Sequence, residues 1–196
     1  MMLEKTLCGV RFRVSLLFPA LLSALLLARA DSPAVSCVIA SAMHEAGHLL
    51  AMLMLGCPPH ACTLGAFGMR IEMGARRMVG YRRNILISLA GPTVNLLAAP
   101  LLWALGCRQA AVVHAVLAAF NLLPASALDG GQVMYCLLCM TGRERTAPCL
   151  IRVLSAVVLL PLAVVAFWLV LSGRGNGTLL IVSGYAIALI FWHPEN

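Results

Sequence analysis

The sequence predicts an all-α polytopic membrane protein with about six transmembrane helices. Of its 196 residues, 62% are hydrophobic and only 11% are charged, whereas a soluble domain carries about 25% charged residues. The mean hydropathy is +0.96. No Gly/Ser linker, repeat or low-complexity tract divides the chain, so residues 1–196 are predicted to form a single integral-membrane domain.

Six apolar stretches account for the predicted spans. They cover residues 14–30, 34–55, 84–106, 109–123, 149–171 and 177–192. The second, third and fifth have about 20 residues or more, enough to cross a hydrocarbon core of about 30 Å. The first also resembles a signal peptide that would be cleaved after Ala28-Arg29-Ala30. We predict that it is retained, because two close-packed spans would better shelter a buried polar site.

Residues 62–73 predict a short β-hairpin between the second and third stretches, at the cytoplasmic edge of the membrane. Gly65 and Gly68 interrupt any helix there, and the flanking residues alternate loosely. Two interpretations remain open. The hairpin is either a simple connection or a sheet edge to which an unwound peptide adds as a strand.

The net charge of +7 is interpreted as a topology signal and not as a nucleic-acid-binding surface. If the N-terminus is cytoplasmic, eleven of the fourteen Lys and Arg residues lie on the cytoplasmic side, so both termini are predicted to be cytoplasmic. The eight cysteines lie mostly in apolar surroundings. Packing is therefore favoured over a redox or metal role, also for the Cys136-x-x-Cys139 pair.

The second stretch contains His44-Glu45-Ala46-Gly47-His48, an H-E-x-x-H motif. Between residues 34 and 55 the only other ionisable side chain is Cys37. Residues four apart share one face of a helix, so both imidazoles can bind one metal ion, and Glu45 can reach a water at that ion. Charged groups inside a membrane span are costly and usually functional, so the motif predicts a metal-dependent hydrolase.

A catalytic zinc usually takes a third protein ligand. The chain has only two aspartates, Asp31 and Asp129, and Asp31 is predicted to lie on the outer side, away from the histidines. Asp129 follows the fourth stretch, where Pro124 ends a helix and Gly130 and Gly131 permit a tight bend. The segment is either a surface loop or a non-helical segment lining a cavity at membrane depth. The other possible ligands are predicted to lie in loops, the hairpin, the tail or the helical core: His60, Glu72, His193, Glu195 and, as a hydrogen-bonded core residue, His114.

Taken together, the motifs resemble those of the site-2 protease family of intramembrane zinc metalloproteases. His44-Glu45-x-x-His48 matches the family's H-E-x-x-H. The segment Asn121-x-x-Pro124-x-x-x-Leu128-Asp129-Gly130 matches its N-x-x-P-x-x-x-L-D-G, and Gly91-Pro92-x-x-Asn95 is similar to its G-P-x-x-N element. The three motifs occur in the family's order between residues 44 and 131.

This resemblance implies a role for each matched residue. His44, His48 and Asp129 would bind one Zn²⁺ per chain, and Glu45 would be the catalytic base. The supporting residues would be Asn95, Asn121, Pro124 and Gly130. Asn121 and Pro124 would shape the ligand loop, and Asn95 or Asn121 would hold the substrate strand or the oxyanion. The implied reaction is hydrolysis of a peptide bond within or near a transmembrane segment of a membrane-bound protein.

The compact layout is most similar to the minimal, stage IV sporulation protein FB-like branch of the family. Its members release a sigma factor from its pro-sequence in sporulating bacteria, which implies a bacterial cell membrane. The sequence lacks that branch's regulatory tail, which argues against the specific sporulation role. Partners are expected to be a membrane-protein substrate and the lipid bilayer, with no nucleic acid. The alternative is a non-proteolytic metal-binding or transport protein, but a transporter usually has several ligand sets and related halves.

Overall fold

The computed structural model describes residues 2–7, 10–15, 32–65, 68–72 and 80–173. These residues form strands β1 (Met2–Leu7), β2 (Val10–Ser15), β3 (Ala61–Gly65) and β4 (Gly68–Glu72), and helices α1 (Ser32–Met54), α2 (Tyr81–Ala104), α3 (Arg108–Asn121), α4 (Asp129–Met140) and α5 (Ala147–Leu171). The chain divides into two compact units, Met1–Ala119 and Phe120–Asn196. The fold is mostly helical.

Within the described part of the chain, three helices are long and apolar enough to cross a membrane: Ala34–Met54, Tyr81–Ala104 and Ala147–Leu169. They correspond to the second, third and fifth apolar stretches. The fourth stretch forms α3, whose 14 residues extend about 21 Å and are too short for a straight span. The predicted first and sixth spans, residues 14–30 and 177–192, lie mainly or wholly outside the described residues.

The first unit contains a four-stranded sheet in the order β1-β2-β3-β4. β1 and β2 pair antiparallel, β2 and β3 parallel, and β3 and β4 antiparallel. β3 and β4 occupy the region where the sequence predicts a hairpin, and they pair antiparallel from Ala61–Glu72 to Gly65–Gly68. Opposite each other on β1 and β2, Glu4 and Arg13 form an ion pair of 3.6 Å.

The two N-terminal strands correct the all-α prediction. The basic residues at the N-terminus serve in the sequence only as a topology signal, which predicts no strand. However, Val10-Arg11-Phe12-Arg13-Val14 alternates apolar and basic residues with a period of two, which is the pattern of a strand. That alternation is the signal from which β2 could have been predicted.

Close packing of α1 against α2 organises the helical part of the first unit. A Cβ atom added at Gly47 would lie 2.8 Å from the carbonyl oxygen of Ala90, 2.9 Å from Val94 Cγ2 and 3.1 Å from Gly91 Cα. The two backbones can approach this closely only because positions 47 and 91 carry no side chain. The approach brings the H-E-x-x-H face of α1 against the Gly91-Pro92 segment of α2.

In the second unit, α4 and α5 are joined by a short turn and pack against each other. The backbone N–H of Ser126 donates to Oγ of Ser155 at 2.7 Å, and this hydroxyl donates to the carbonyl of Ile151 at 2.7 Å. Ser155 is fully buried on α5. It therefore fixes the loop that precedes α4.

Candidate metal centre

His44 and His48 face each other on one side of α1. They are only 6% and 8% exposed, and their Nε2 atoms are 3.1 Å apart. The ring planes are nearly perpendicular, at 84°. Two nitrogens that bind one tetrahedral zinc at 2.0–2.1 Å lie about 3.3 Å apart. The spacing of the pair therefore fits two ligands of a single ion, as the four-residue separation on a helix predicts.

The orientation of His48 is fixed by the backbone of α2. Nδ1 of His48 lies 2.7 Å from the carbonyl oxygen of Ile87. A carbonyl oxygen only accepts hydrogen bonds, so Nδ1 must carry the proton and donate it. The lone pair of the neutral imidazole is then on Nε2, the atom that faces His44. This is the usual outer hydrogen bond of a metal-binding histidine.

Gly91 leaves the space that the two imidazoles occupy. A Cβ atom added there would lie 2.6 Å from Cε1 of His48 and 2.9 Å from Cε1 of His44, and closer still to Nε2 of His48. Any side chain at this position would displace both rings. The glycine of the Gly91-Pro92-x-x-Asn95 element is thus required by a contact with the histidine pair.

The other side of His44 contacts a buried asparagine, which in turn contacts a buried histidine from a third helix. Nδ1 of His44 lies 3.3 Å from Nδ2 of Asn95 on α2, and Oδ1 of Asn95 lies 3.0 Å from Nδ1 of His114 on α3. Asn95 is fully buried, and His114 is 2% exposed. His114 is thus a hydrogen-bonded core residue, as predicted, but no sequence pattern indicates that it contacts a neighbour of His44.

Glu45 follows His44 on α1 and is partly buried. Consecutive residues are about 100° apart around a helix axis, so Glu45 borders the face that carries the two histidines. The second unit holds the other predicted residues. Asn121 ends α3, and Asp129 is the first residue of α4. One oxygen of the Asp129 carboxylate is shielded from solvent.

A compact loop leads from α3 to Asp129. The N–H of Ala125 donates to the carbonyl of Leu123 at 2.8 Å, a tight turn with Pro124 at its centre. A Cβ atom at Gly130 would lie 2.6 Å from the carbonyl oxygen of Leu123 and closer to neighbouring backbone atoms. Pro124 and Gly130 therefore shape this loop locally: one sets the turn, and the other lets the loop backbone lie against the first turn of α4.

Asp129, in the second unit, is the third ligand that the sequence motifs predict beside the His44–His48 pair of the first unit. Two imidazole nitrogens and a carboxylate oxygen are a donor set typical of catalytic zinc. The residues present thus fit the ion that the sequence motifs predict. Asp31, His193 and Glu195 lie outside the described residues.

Comparisons with known proteins give a match in structure. No protein-family model and no curated protein sequence matches the chain. Among solved structures, it is similar to the site-2 protease from Methanocaldococcus jannaschii, with a TM-score of 0.69 and 16% sequence identity over 100% of this chain and 99% of that chain. At this identity the similarity concerns the fold. The chain therefore has the fold of a site-2 protease.

Proposed function

We propose that this protein is an intramembrane zinc metalloendopeptidase of the site-2 protease type. It would hydrolyse a peptide bond within or near a transmembrane segment of a membrane-bound substrate. The main support is the buried His44–His48 pair, whose Nε2 atoms are 3.1 Å apart on a helix long and apolar enough to span a membrane. The fold of the M. jannaschii protease supports the same reaction class.

In this proposal His44 and His48 bind one Zn²⁺ through Nε2, and Asp129 binds it through its carboxylate. The match to both sequence motifs and the shielding of one Asp129 carboxylate oxygen from solvent support the assignment. When bound, zinc supplies a Lewis acid that polarises the substrate carbonyl and makes water a stronger nucleophile near neutral pH. Gly91 keeps the space of both imidazoles open, and the Ile87 carbonyl holds the lone pair of His48 toward the ion.

Glu45 is the proposed general base and acid. It takes a proton from the attacking water as the new C–O bond forms at the peptide carbonyl. It then delivers that proton to the amide nitrogen as the C–N bond breaks, so the products are a carboxylic acid and an amine. Its place next to His44 at the edge of the ligand face, partly buried, suits a group that must reach both the water and the leaving amine.

The substrate must be extended at the site, because the carbonyls of a helix are engaged in internal hydrogen bonds. Among the described strands β4 pairs on one side only, which supports the interpretation that a substrate segment adds to it. Asn95 is fully buried between His44 and His114. We therefore assign it a role within the site and not in holding the substrate or the oxyanion.

The apolar helices and the fold indicate a membrane protein. The six-span topology with both termini cytoplasmic, the bacterial cell membrane and the sporulation branch stay predictions from the sequence. The same holds for Asn121 as a residue that contacts the substrate.

The decisive experiment compares the wild-type protein with Glu45→Gln. Both are purified in detergent, assayed for zinc, and incubated with a model transmembrane substrate. We expect about one zinc per chain in both proteins, and cleavage slowed by about 10²-fold or more in Glu45→Gln, because the amide cannot accept the proton. The matched control is Glu144→Gln, an exposed glutamate after α4, which should cleave normally.

Wild-type cleavage by Glu45→Gln would exclude Glu45 as the base. Wild-type protein that cleaves equally well after complete removal of metal by a chelator would exclude a metalloprotease. Stoichiometric zinc without any cleavage would instead favour the non-proteolytic metal-binding alternative.

A further inference from the structure

Three buried polar side chains from three helices lie in a row next to the candidate metal ligands. They are His44 on α1, Asn95 on α2 and His114 on α3, linked by contacts of 3.3 Å and 3.0 Å. None is more than 6% exposed. Burying such groups is costly unless each donor meets an acceptor. The direction of the hydrogen bonds along this row therefore has consequences for the metal site.

The direction follows if His44 binds the metal through Nε2, as the proposed function assumes. A neutral imidazole carries one proton, so a lone pair on Nε2 leaves the proton on Nδ1. Nδ1 then donates to Asn95, and the acceptor of that amide is Oδ1. A metal-binding His44 thus requires the oxygen of Asn95 to face it and the NH₂ group to face His114.

The amide of Asn95 does not by itself select this orientation. A half-turn about its Cβ–Cγ bond exchanges Oδ1 and Nδ2 with almost no change in shape, and only the neighbouring protons distinguish the two arrangements. With NH₂ toward His44, as the atoms are recorded, Nδ1 of His44 would accept. Its proton would then lie on Nε2 and point at Nε2 of His48, 3.1 Å away, and His44 could not bind the ion.

His48 has no such ambiguity, because its partner is the carbonyl of Ile87, which can only accept. For His44, the orientation of the Asn95 amide must be set by the group on the far side of that amide. Among the described residues, Nδ1 of His114 is the hydrogen-bond partner on the far side of the amide. A lone pair on this nitrogen attracts the NH₂ group, whereas a proton there would attract Oδ1.

We propose that His114 is a positioning residue of the metal centre. As the neutral tautomer with its proton on Nε2, it accepts a hydrogen bond from Asn95 and so turns the amide oxygen toward His44. This keeps the lone pair of His44 on Nε2, where it binds the metal. His114 would thus act on the metal centre without contacting the ion.

The test uses two replacements of similar size, His114→Asn and His114→Leu, in the full chain in detergent. In asparagine, Oδ1 is bonded to Cγ as Nδ1 is in histidine, so it can accept the same hydrogen bond, whereas leucine cannot. Zinc affinity is measured by competition with a chelator, and ligand geometry by the absorption spectrum of the Co²⁺-loaded protein. Thermal unfolding of the metal-free proteins is measured alongside.

We expect His114→Leu to lower the affinity by about 10- to 100-fold and to change the Co²⁺ spectrum. His114→Asn should recover most of the affinity and the wild-type spectrum. Because His114 acts only through Asn95, adding His114→Leu to Asn95→Leu should cause no further loss. Wild-type affinity in His114→Leu, or equal losses in both His114 variants, would overturn the proposal.

A second measurement needs no variant. In zinc-loaded wild-type protein with ¹⁵N-labelled histidine, the proton of His114 should be on Nε2, and a proton on Nδ1 would overturn the proposal even if His114→Leu fails to fold. The outcomes also separate this inference from the proposed function. Wild-type protein that binds no zinc would overturn both, whereas normal zinc binding by His114→Leu would overturn only the role of His114.

Discussion

Replacing Gly91 with alanine tests the packing of the metal centre with one methyl group. Position 91 lies inside α2, and a Cβ atom there would lie 2.6 Å from Cε1 of His48 and 2.9 Å from Cε1 of His44. His48 cannot simply rotate away, because its Nδ1 is held at 2.7 Å by the carbonyl of Ile87. We therefore expect the substitution to disturb metal binding directly.

The size of the effect follows from these distances. Ordinary van der Waals contact begins at 3.4 Å, so the His48 ring, with Cε1 at 2.6 Å and Nε2 closer, must retreat by more than about 0.8 Å. Metal–ligand distances are normally kept within about 0.2 Å of their ideal values. We therefore expect zinc affinity to fall by about 100-fold, which corresponds to about 2.7 kcal/mol. Alanine is a better helix former than glycine by about 1 kcal/mol, so a weakened helix would not explain the loss.

The assay is chelator competition for zinc in the purified protein, together with thermal unfolding after metal removal. Gly47→Ala is the matched control. Its Cβ would overpack the same α1–α2 interface, at 2.8 Å from the carbonyl oxygen of Ala90 and 2.9 Å from Cγ2 of Val94. We expect Gly47→Ala to lower stability more than zinc affinity, and Gly91→Ala to do the reverse. Unchanged zinc affinity in Gly91→Ala would refute the inferred arrangement of the histidine pair.

Two further predictions concern the loop before α4. Gly131→Ala should destabilise the protein by about 1–3 kcal/mol, because the new Cβ would collide with loop backbone, including the Ser126 nitrogen at 2.9 Å. Gly80→Ala, where no atom of the described residues lies within 4 Å, should change the unfolding temperature little, and equal effects of the two would contradict this reasoning. Ser155→Ala removes the acceptor of the Ser126 N–H and should cost about 1 kcal/mol in denaturant unfolding. The exposed Ser172 directly follows α5, and its hydroxyl donates to the carbonyl of Trp168. It provides the control, and a loss as large in Ser172→Ala would argue against the role of the buried serine.

Local sequence was sufficient to predict those features whose geometry is set within one segment of the chain. His44 and His48 meet because residues four apart share a helix face, and their Nε2 atoms indeed lie 3.1 Å apart. The three longest apolar stretches likewise correspond to the three candidate spans of the described residues, since a span is specified by its own length and composition. The strands β1 and β2 were missed, because a short alternating pattern next to an apolar stretch resembles a charged flank.

The sequence by itself determined the membrane character of this protein, the histidine pair, and the glycines and proline that shape the loop before Asp129. These features depend on composition, helical period and local backbone freedom. Only the tertiary structure decided that Gly91 makes room for both imidazoles and that a carbonyl of α2 orients His48. It also decided that Asn95 lies between His44 and His114. Residues 51 positions apart, such as His44 and Asn95, meet through the packing of separate helices. That packing depends on side chains along whole interfaces, and no local spacing encodes it.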